Sequence, residues 1–300
     1  MVGVGSGPSG VALRHDGNAA YVYNSFDHTL STLAVAGWSS VRLVASSVVV
    51  NDSEQPTNWT WQPSNPIAIG RTLFYSAVDP NITSTGIACA SCHLDGREDG
   101  HVWHFDEGPR RTPSLAGRQI TSTAPFHWSG QFATMSDFLD ETIIARMGGS
   151  GGLGTSVVSV SIATAISAFI DSLEAPDNPH QLATPTASQI RGASLFQAAG
   201  CATCHGGTAT INGTTVQLFT NNGFANVGTF DVGDDIASLP KGFNVPSLLG
   251  LARTAPYLHD GSAPTFLDRL RRNQMLDLHG NTSTLTSQDL SDLSDYLKSL

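Results

Sequence analysis

Cys89-Ala90-Ser91-Cys92-His93 and Cys201-Ala202-Thr203-Cys204-His205 contain all four cysteines of the 300-residue chain. In each pentapeptide two thiols stand three residues apart, and a histidine directly follows the second. Thiols on one helical turn can each form a thioether to the same edge of a porphyrin. The next imidazole then lies beneath the ring, where it can bind the iron. The spacing reads as two covalently attached c-type haems, held by Cys89, Cys92, Cys201 and Cys204, with His93 and His205 as proximal iron ligands. A redox dithiol needs no trailing histidine and calls for a βαβ context that is missing here. A zinc ribbon wants its cysteine pairs about 15–20 residues apart, whereas these begin at positions 89 and 201. A metal-stapled interaction domain without haem therefore ranks last.

Outward from the pentapeptides the chain repeats itself. Gly70-Arg71-Thr72-Leu73-Phe74 precedes the first and Gly192-Ala193-Ser194-Leu195-Phe196 the second. Thr112-Pro113-Ser114-Leu115 reads like Val245-Pro246-Ser247-Leu248, and Thr123-Ala124-Pro125-Phe126-His127-Trp128-Ser129-Gly130 like Thr254-Ala255-Pro256-Tyr257-Leu258-His259-Asp260-Gly261. Each copy closes on an apolar-periodic helix, one around Val160–Leu173 and one at Leu290–Leu300, the latter capped by Thr286 with Asp289 three residues on. The second copy carries an insertion, Gly206–Lys241, rich in Gly, Asn and Thr, which reads as loop with a small hairpin.

Residues 1–45 differ. Short β-rich runs flank the turn Asp16-Gly17-Asn18, a pattern resembling one blade of a β-propeller. One blade cannot bury its own face, so the segment is expected to be the tail of a larger propeller lying upstream of Met1. The expected organisation is a β segment over 1–45, a proline-marked connector over 46–70 and a first haem domain over 71–176. A linker over 177–187 and a second haem domain over 188–300 complete it. The fold class is mainly α: two tandem cytochrome-c-like haem domains behind a short β segment.

Composition narrows the function. Charged residues make up 13%, against 30 Gly and 15 Pro, which favours ordered loops over long surface helices. A formal charge of −10 with no basic tract excludes nucleic acid. No apolar run of about 18 residues is present to span a membrane. The opening Met1-Val2-Gly3-Val4-Gly5 has no signal-peptide character. Covalent haem attachment is an export-side process, so the expected location is periplasmic or otherwise exported, with the signal upstream.

From Phe74 to Leu300 these motifs resemble the di-haem cytochrome c peroxidase and MauG-like superfamily, and members with an N-terminal propeller are similar to the whole chain. The most specific matches are both pentapeptides, Gly108-Pro109 leading to Thr112-Pro113-Ser114, and Phe243-Asn244-Val245-Pro246 leading to Pro256-Tyr257-Leu258-His259-Asp260-Gly261. The resemblance implies two facing haem domains, and electrons passing from the C-terminal haem to an N-terminal haem where peroxide is reduced. It implies Trp128 as relay between them, a peroxide-type substrate and a small redox protein as partner. It also implies calcium between the domains, on the carbonyls of Thr254 and Pro256. This chain departs from the pattern at three places. Trp103, flanked by His101 and His104, stands where the switchable distal histidine is expected. Gly148, beside Met147, stands at the distal glutamate, and Arg111, a cation, replaces an asparagine near the calcium.

For the distal iron positions the duplication pairs Met147, 17 residues after Gly130, with His279, 18 after Gly261. These two are the leading distal ligands. His101, His104 and Met275 are the alternatives. His259 has two readings, a hydrogen bond to a haem propionate or a role in fixing its turn. Two functions stay open: a peroxidase-like or MauG-like oxidoreductase, and a non-enzymatic redox carrier that docks a partner through a propeller domain.

Overall fold

A computed structural model describes residues 4, 7–26, 29–36, 41–49, 65–150, 162–230, 233–239, 241–272 and 274–300. Pro56 and Pro63 of the expected connector, and Val160 at the start of the expected first closing helix, lie outside the described residues. The chain forms two compact units, residues 1–76 with 154–169, and residues 77–153 with 170–300.

The first unit opens with a four-stranded antiparallel meander: β1 (Pro8–Leu13), β2 (Ala19–Asn24), β3 (Thr29–Val35) and β4 (Val41–Val49), in that order. Alternation along β2 and β3 buries Ala20, Val22 and Leu33 on one face. Asn24 ties β2 to β3, its amide donating to Thr29 Oγ1 and Ser31 Oγ at 2.9 Å each. β1 is exposed along its length. Helix α1 (Pro66–Tyr75) starts where Asn65 Oδ1 accepts the Ile67 N–H, with Pro66 in the first turn, where its missing N–H costs nothing. It crosses α4 (Ile162–Asp171) at Gly70, where an added Cβ would stand 1.9 Å from the Ala165 carbonyl oxygen. Phe74 and Phe169 close that crossing with ring centroids 5.2 Å apart.

The second unit holds α2 (Cys89–Cys92), a hairpin of β5 (Val102–Phe105) and β6 (Gly108–Arg111), and α3 (Met135–Phe138). It continues through α5 (Ala187–Ala198), α6 (Ala202–His205), the hairpin β7 (Thr208–Ile211)–β8 (Thr214–Gln217) and the short pair β9 (Phe224–Ala225)–β10 (Phe243–Asn244). Helices α7 (Phe266–Arg271) and α8 (Ser287–Lys298) end it. The region after residue 187 is mainly helical at its core, where Phe196, Leu248, Phe266, Leu293 and Leu297 pack together. Helices α5 and α8 each begin with a capping box, Thr186 with Gln189 and Thr286 with Asp289. They cross at Gly192, whose Cβ would stand 2.1 Å from the Asp292 carbonyl oxygen. The same Gly-x-x-Leu-Phe string thus makes the close crossing in both copies, because only glycine lets the backbones approach so near.

The duplication extends to the backbone of the Ala-Pro turns. Ala124–Pro125 and Ala255–Pro256 are both cis, and His127 and Leu258 both adopt left-handed φ, 68° and 75°. An isolated bridge follows in each, Phe126 with Phe132 and Tyr257 with Ala263. Capping boxes come next, Thr134 with Asp137 and Thr265 with Asp268. Past the caps the copies diverge. α3 runs into a π-helical stretch, Leu139–Arg146, that delivers Met147, whereas α7 ends at Arg271.

Two outcomes follow from the α5–α8 crossing. Gly192→Ala forces the helices apart and lowers stability by about 1–3 kcal/mol, read as a thermal midpoint several degrees lower. Asp292 is buried, and its carboxylate is held well below the usual range, first by the hydrogen bond from Arg191 and then by that from Ser188. A depressed carboxylate stabilises the fold above its unfolded pKa of about 3.9, and that contribution is lost as pH falls through the folded value. Arg191→Ala raises the folded value, so acid unfolding is expected to begin at higher pH.

Candidate haem site

Each pentapeptide forms one short turn with its histidine at the end. In the first, the Ala88 N–H donates to Ser91 Oγ at 3.1 Å and starts α2. Burial pushes the Cys89 thiol up to about 11 and raises Cys92 and Cys201 as well. Such thiols are poor thiolates, so these are not activated redox cysteines. The four thiols do not converge on a four-ligand metal site; among the described residues no group of three or more His, Cys, Asp or Glu is placed to hold an ion.

The histidines of both pentapeptides are braced alike. His205 Nδ1 lies 3.0 Å from the Phe219 carbonyl and His93 Nδ1 lies 3.3 Å from the Arg97 carbonyl. The backbone of Pro246 and of Pro113, the repeated prolines, engages the same two rings. With Nδ1 donating to a carbonyl, Nε2 is the nitrogen left for a metal. Burial lowers the pKa of both imidazoles, which favours the neutral, ligating form. His279 stands opposite His205, with ring centroids 6.0 Å apart.

A cation with unsatisfied donors marks the same site, since among the described residues only Nη1 of the Arg269 guanidinium has a partner, the Arg272 carbonyl at 3.5 Å. Arg269, on α7, is only 7% exposed, and its Nε and Nη2 have no hydrogen-bond partner among the described residues. Burial brings its pKa down to about 10, with Arg272 lowering it further and Cys201 opposing. A buried unpaired guanidinium is costly, and the carboxylates on a porphyrin edge are the kind of anion that would satisfy it. The residues at the second pentapeptide therefore fit a haem.

Between the copies the contacts are reciprocal. The Arg111 N–H donates to the His259 carbonyl at 2.6 Å, and the Asn244 N–H donates to the Trp128 carbonyl at 2.8 Å. Arg111 and Asn244 are equivalent positions two residues before the repeated prolines. Asn244 Nδ2 donates to Pro125 O at 2.5 Å, and Arg111 Nη1 donates to Pro256 O. Trp128 and His259, equivalent themselves, meet edge to face at 6.3 Å, and the Trp128 indole N–H donates to the Arg111 carbonyl at 2.9 Å.

His259 is 1% exposed, and its Nε2 lies 3.0 Å from Asp234 Oδ2. Arg110 pairs with the other Asp234 oxygen at 2.5 Å. Phe243 stacks on His259 at 4.1 Å, with the Arg110 guanidinium over the same Phe243 ring. Of the two readings for His259, the turn-fixing one describes its contacts. His127, the counterpart of Leu258, sits between Phe132 and Phe138, with centroids at 4.7 and 5.3 Å. Burial pushes it down to about 3, helped by Arg146 and His93.

The remaining sequence candidates are scattered. Met147 is 8% exposed, and its carbonyl accepts from the Ser84 N–H and the Thr83 and Thr85 hydroxyls. Met275 is 78% exposed. His101 and His104 lie exposed at and on β5, and the His101 ring contacts Trp103. Sequence reasoning missed Asp234, Arg110 and Arg269. Asp234 lies in the insertion read as loop, which does form the β7–β8 hairpin. No local pattern there announces a buried carboxylate.

The cytochrome c family matches residues 189–300. The chain is 27% identical to cytochrome c peroxidase Ccp of Escherichia coli over 278 residues, 78% of this chain and 57% of that protein. It is 28% identical to hydrazine synthase subunit gamma of Kuenenia stuttgartiensis, over 71% of this chain and 72% of that one. A crystal structure of a MauG-like protein associated with microbial copper homeostasis superposes with a TM-score of 0.57 at 26% identity, covering 78% of this chain and 88% of that chain. This is a cytochrome c fold at its C-terminal end, joined to an N-terminal β segment. The chain is similar to cytochrome c peroxidases and to the methylamine utilization protein MauG, and it spans little more than half the length of the Escherichia coli peroxidase.

The buried Arg110–Asp234–His259 cluster makes a direct prediction. Asp234→Ala leaves a buried cation and an imidazole without their partner and is expected to cost about 3–5 kcal/mol. Denaturant unfolding would show it, and a loss under about 1 kcal/mol would mean the cluster holds nothing together.

Proposed function

We propose that the chain is an exported di-haem c-type oxidoreductase that passes electrons from a small redox protein to a peroxide-type substrate. The observation that carries the reading is the pair of carbonyl-braced imidazoles, His93 and His205, each ending a thioether-spaced turn. Bound there, haem would supply a one-electron iron couple and, at an open face, a place where peroxide takes two electrons and two protons to give two waters.

The chain's own residues do the rest. His93 and His205 hold the irons, and the carbonyls on their Nδ1 atoms fix the rings and strengthen them as ligands. His279 would help hold the second haem opposite His205, because ring centroids 6.0 Å apart leave room between the imidazoles for two metal–nitrogen bonds of roughly 2 Å each. A haem held by both His205 and His279 would suit electron entry. Met147 is the residue that would help hold the first haem. It follows a π-helical stretch, a geometry common at functional sites, and its thioether would offer iron a weak, exchangeable donor. Trp128, hung from the Arg111 carbonyl and edge-on to His259, lies at the junction of the copies and serves as the relay. The neutral His127, in electrostatic reach of His93, is the polar group on the first side in place of the carboxylate that Gly148 lacks.

The holoprotein tests this directly. Its mass should exceed the polypeptide by two porphyrins, and acid–acetone should not strip them. Cyanide or peroxide should perturb one of the two haem spectra. If both irons stay six-coordinate and low-spin under every condition, the chain is a redox carrier and the enzyme reading falls. His279→Ala should convert one haem to high spin while Met275→Ala leaves the spectrum unchanged; the reverse result reassigns the ligand.

A further inference from the structure

A divalent cation between the repeats, as the resemblance implies, would need the carbonyls of Thr254 and Pro256. In this chain both are already engaged. Arg111 Nη1 donates to Thr254 O at 3.1 Å and to Pro256 O, and Nη2 donates to Glu98 Oε2 at 3.0 Å. We infer that the Arg111 guanidinium is the resident cation of this junction, and that the chain needs no calcium there.

Three observations support it. Arg111 is only 5% exposed, so its guanidinium is enclosed at the junction and occupies the space an ion would need. Calcium binds oxygen at about 2.3–2.6 Å, so an ion on these two carbonyls would overlap the guanidinium that donates to them. Charge also disfavours an ion: Glu98 is paired with Arg111 and lies in electrostatic reach of Arg118 and Arg97, and among the described residues no group of three or more His, Cys, Asp or Glu is placed to hold a metal. The equivalent place in the other copy is held by the neutral Asn244 amide, donating to Pro125 O at 2.5 Å and His127 O at 3.4 Å. One half of the junction therefore carries a fixed positive charge and the other does not. A tethered cation is present at every calcium concentration, whereas a diffusible one stabilises only in proportion to its occupancy.

The test uses thermal unfolding of the holoprotein in excess EDTA and in millimolar CaCl2, at constant ionic strength. The wild type is expected to melt at the same temperature in both. Arg111→Asn should melt roughly 5–15 °C lower and regain part of that in CaCl2, since the new amide oxygen and the Glu98 carboxylate would join the two freed carbonyls. Arg111→Lys, which keeps the charge, should remain calcium-insensitive. A wild-type midpoint that EDTA lowers overturns the inference. So does an Arg111→Asn protein as stable as wild type, or one that calcium does not help. If Arg111→Asn fails to fold, the wild-type comparison and Arg111→Lys still decide. None of these readouts depends on peroxidase activity, so they stand apart from the proposed function.

Discussion

Arg111 joins the repeats with three separate parts of itself. Its N–H is given to His259, its carbonyl receives the Trp128 indole, and its guanidinium spans Thr254, Pro256 and Glu98. A backbone position that satisfies partners in both copies fixes their register, because a shift that lengthens one bond lengthens the others. Burial gives this weight: in a low-dielectric junction an unmade hydrogen bond costs far more than a made one contributes. The placement of Trp128 against His259 follows from that constraint and needs no further one.

Around it, the junction is built from charges that neutralise one another out of water. Arg110 and Asp234 form a buried pair, and His259 takes the second carboxylate oxygen. Such pairs add little net stability compared with a well-packed apolar core, but they penalise every arrangement that separates them. Here they pin the insertion of the second copy onto the turn of its own Ala-Pro motif. The insertion is therefore a structural member, despite a composition rich in turn formers.

Much of this was legible from residues alone. The pentapeptides, the paired Gly-x-x-Leu-Phe strings and the repeated Ala-Pro turns are local patterns, and each recurs as the same local structure. The closing helix expected around Val160–Leu173 is described as Ile162–Asp171. The run of β residues at the start is an antiparallel meander that reaches Val49. What stayed hidden was long-range. Asp234 finds its partners 124 and 25 positions away, and no periodicity encodes such a meeting. Arg269 reads as an ordinary charge on a short helix; only its burial shows that two of its donors go unsatisfied among the described residues. Arg111 was legible as an unwelcome charge beside a metal, but not as a group already seated on the metal's carbonyls.

The matched turns carry one mismatch whose effect reaches beyond local packing. Where one copy presents Leu258, the other presents His127, in the same left-handed backbone pose. Two identical halves would offer a travelling charge the same environment at each end, and nothing would tell it which way to go. On the proposed reading, an imidazole in electrostatic reach of His93, matched by a hydrocarbon at the equivalent turn position, makes the ends unequal. A duplicated turn acquires a downhill direction by changing a side chain while keeping its own backbone pose.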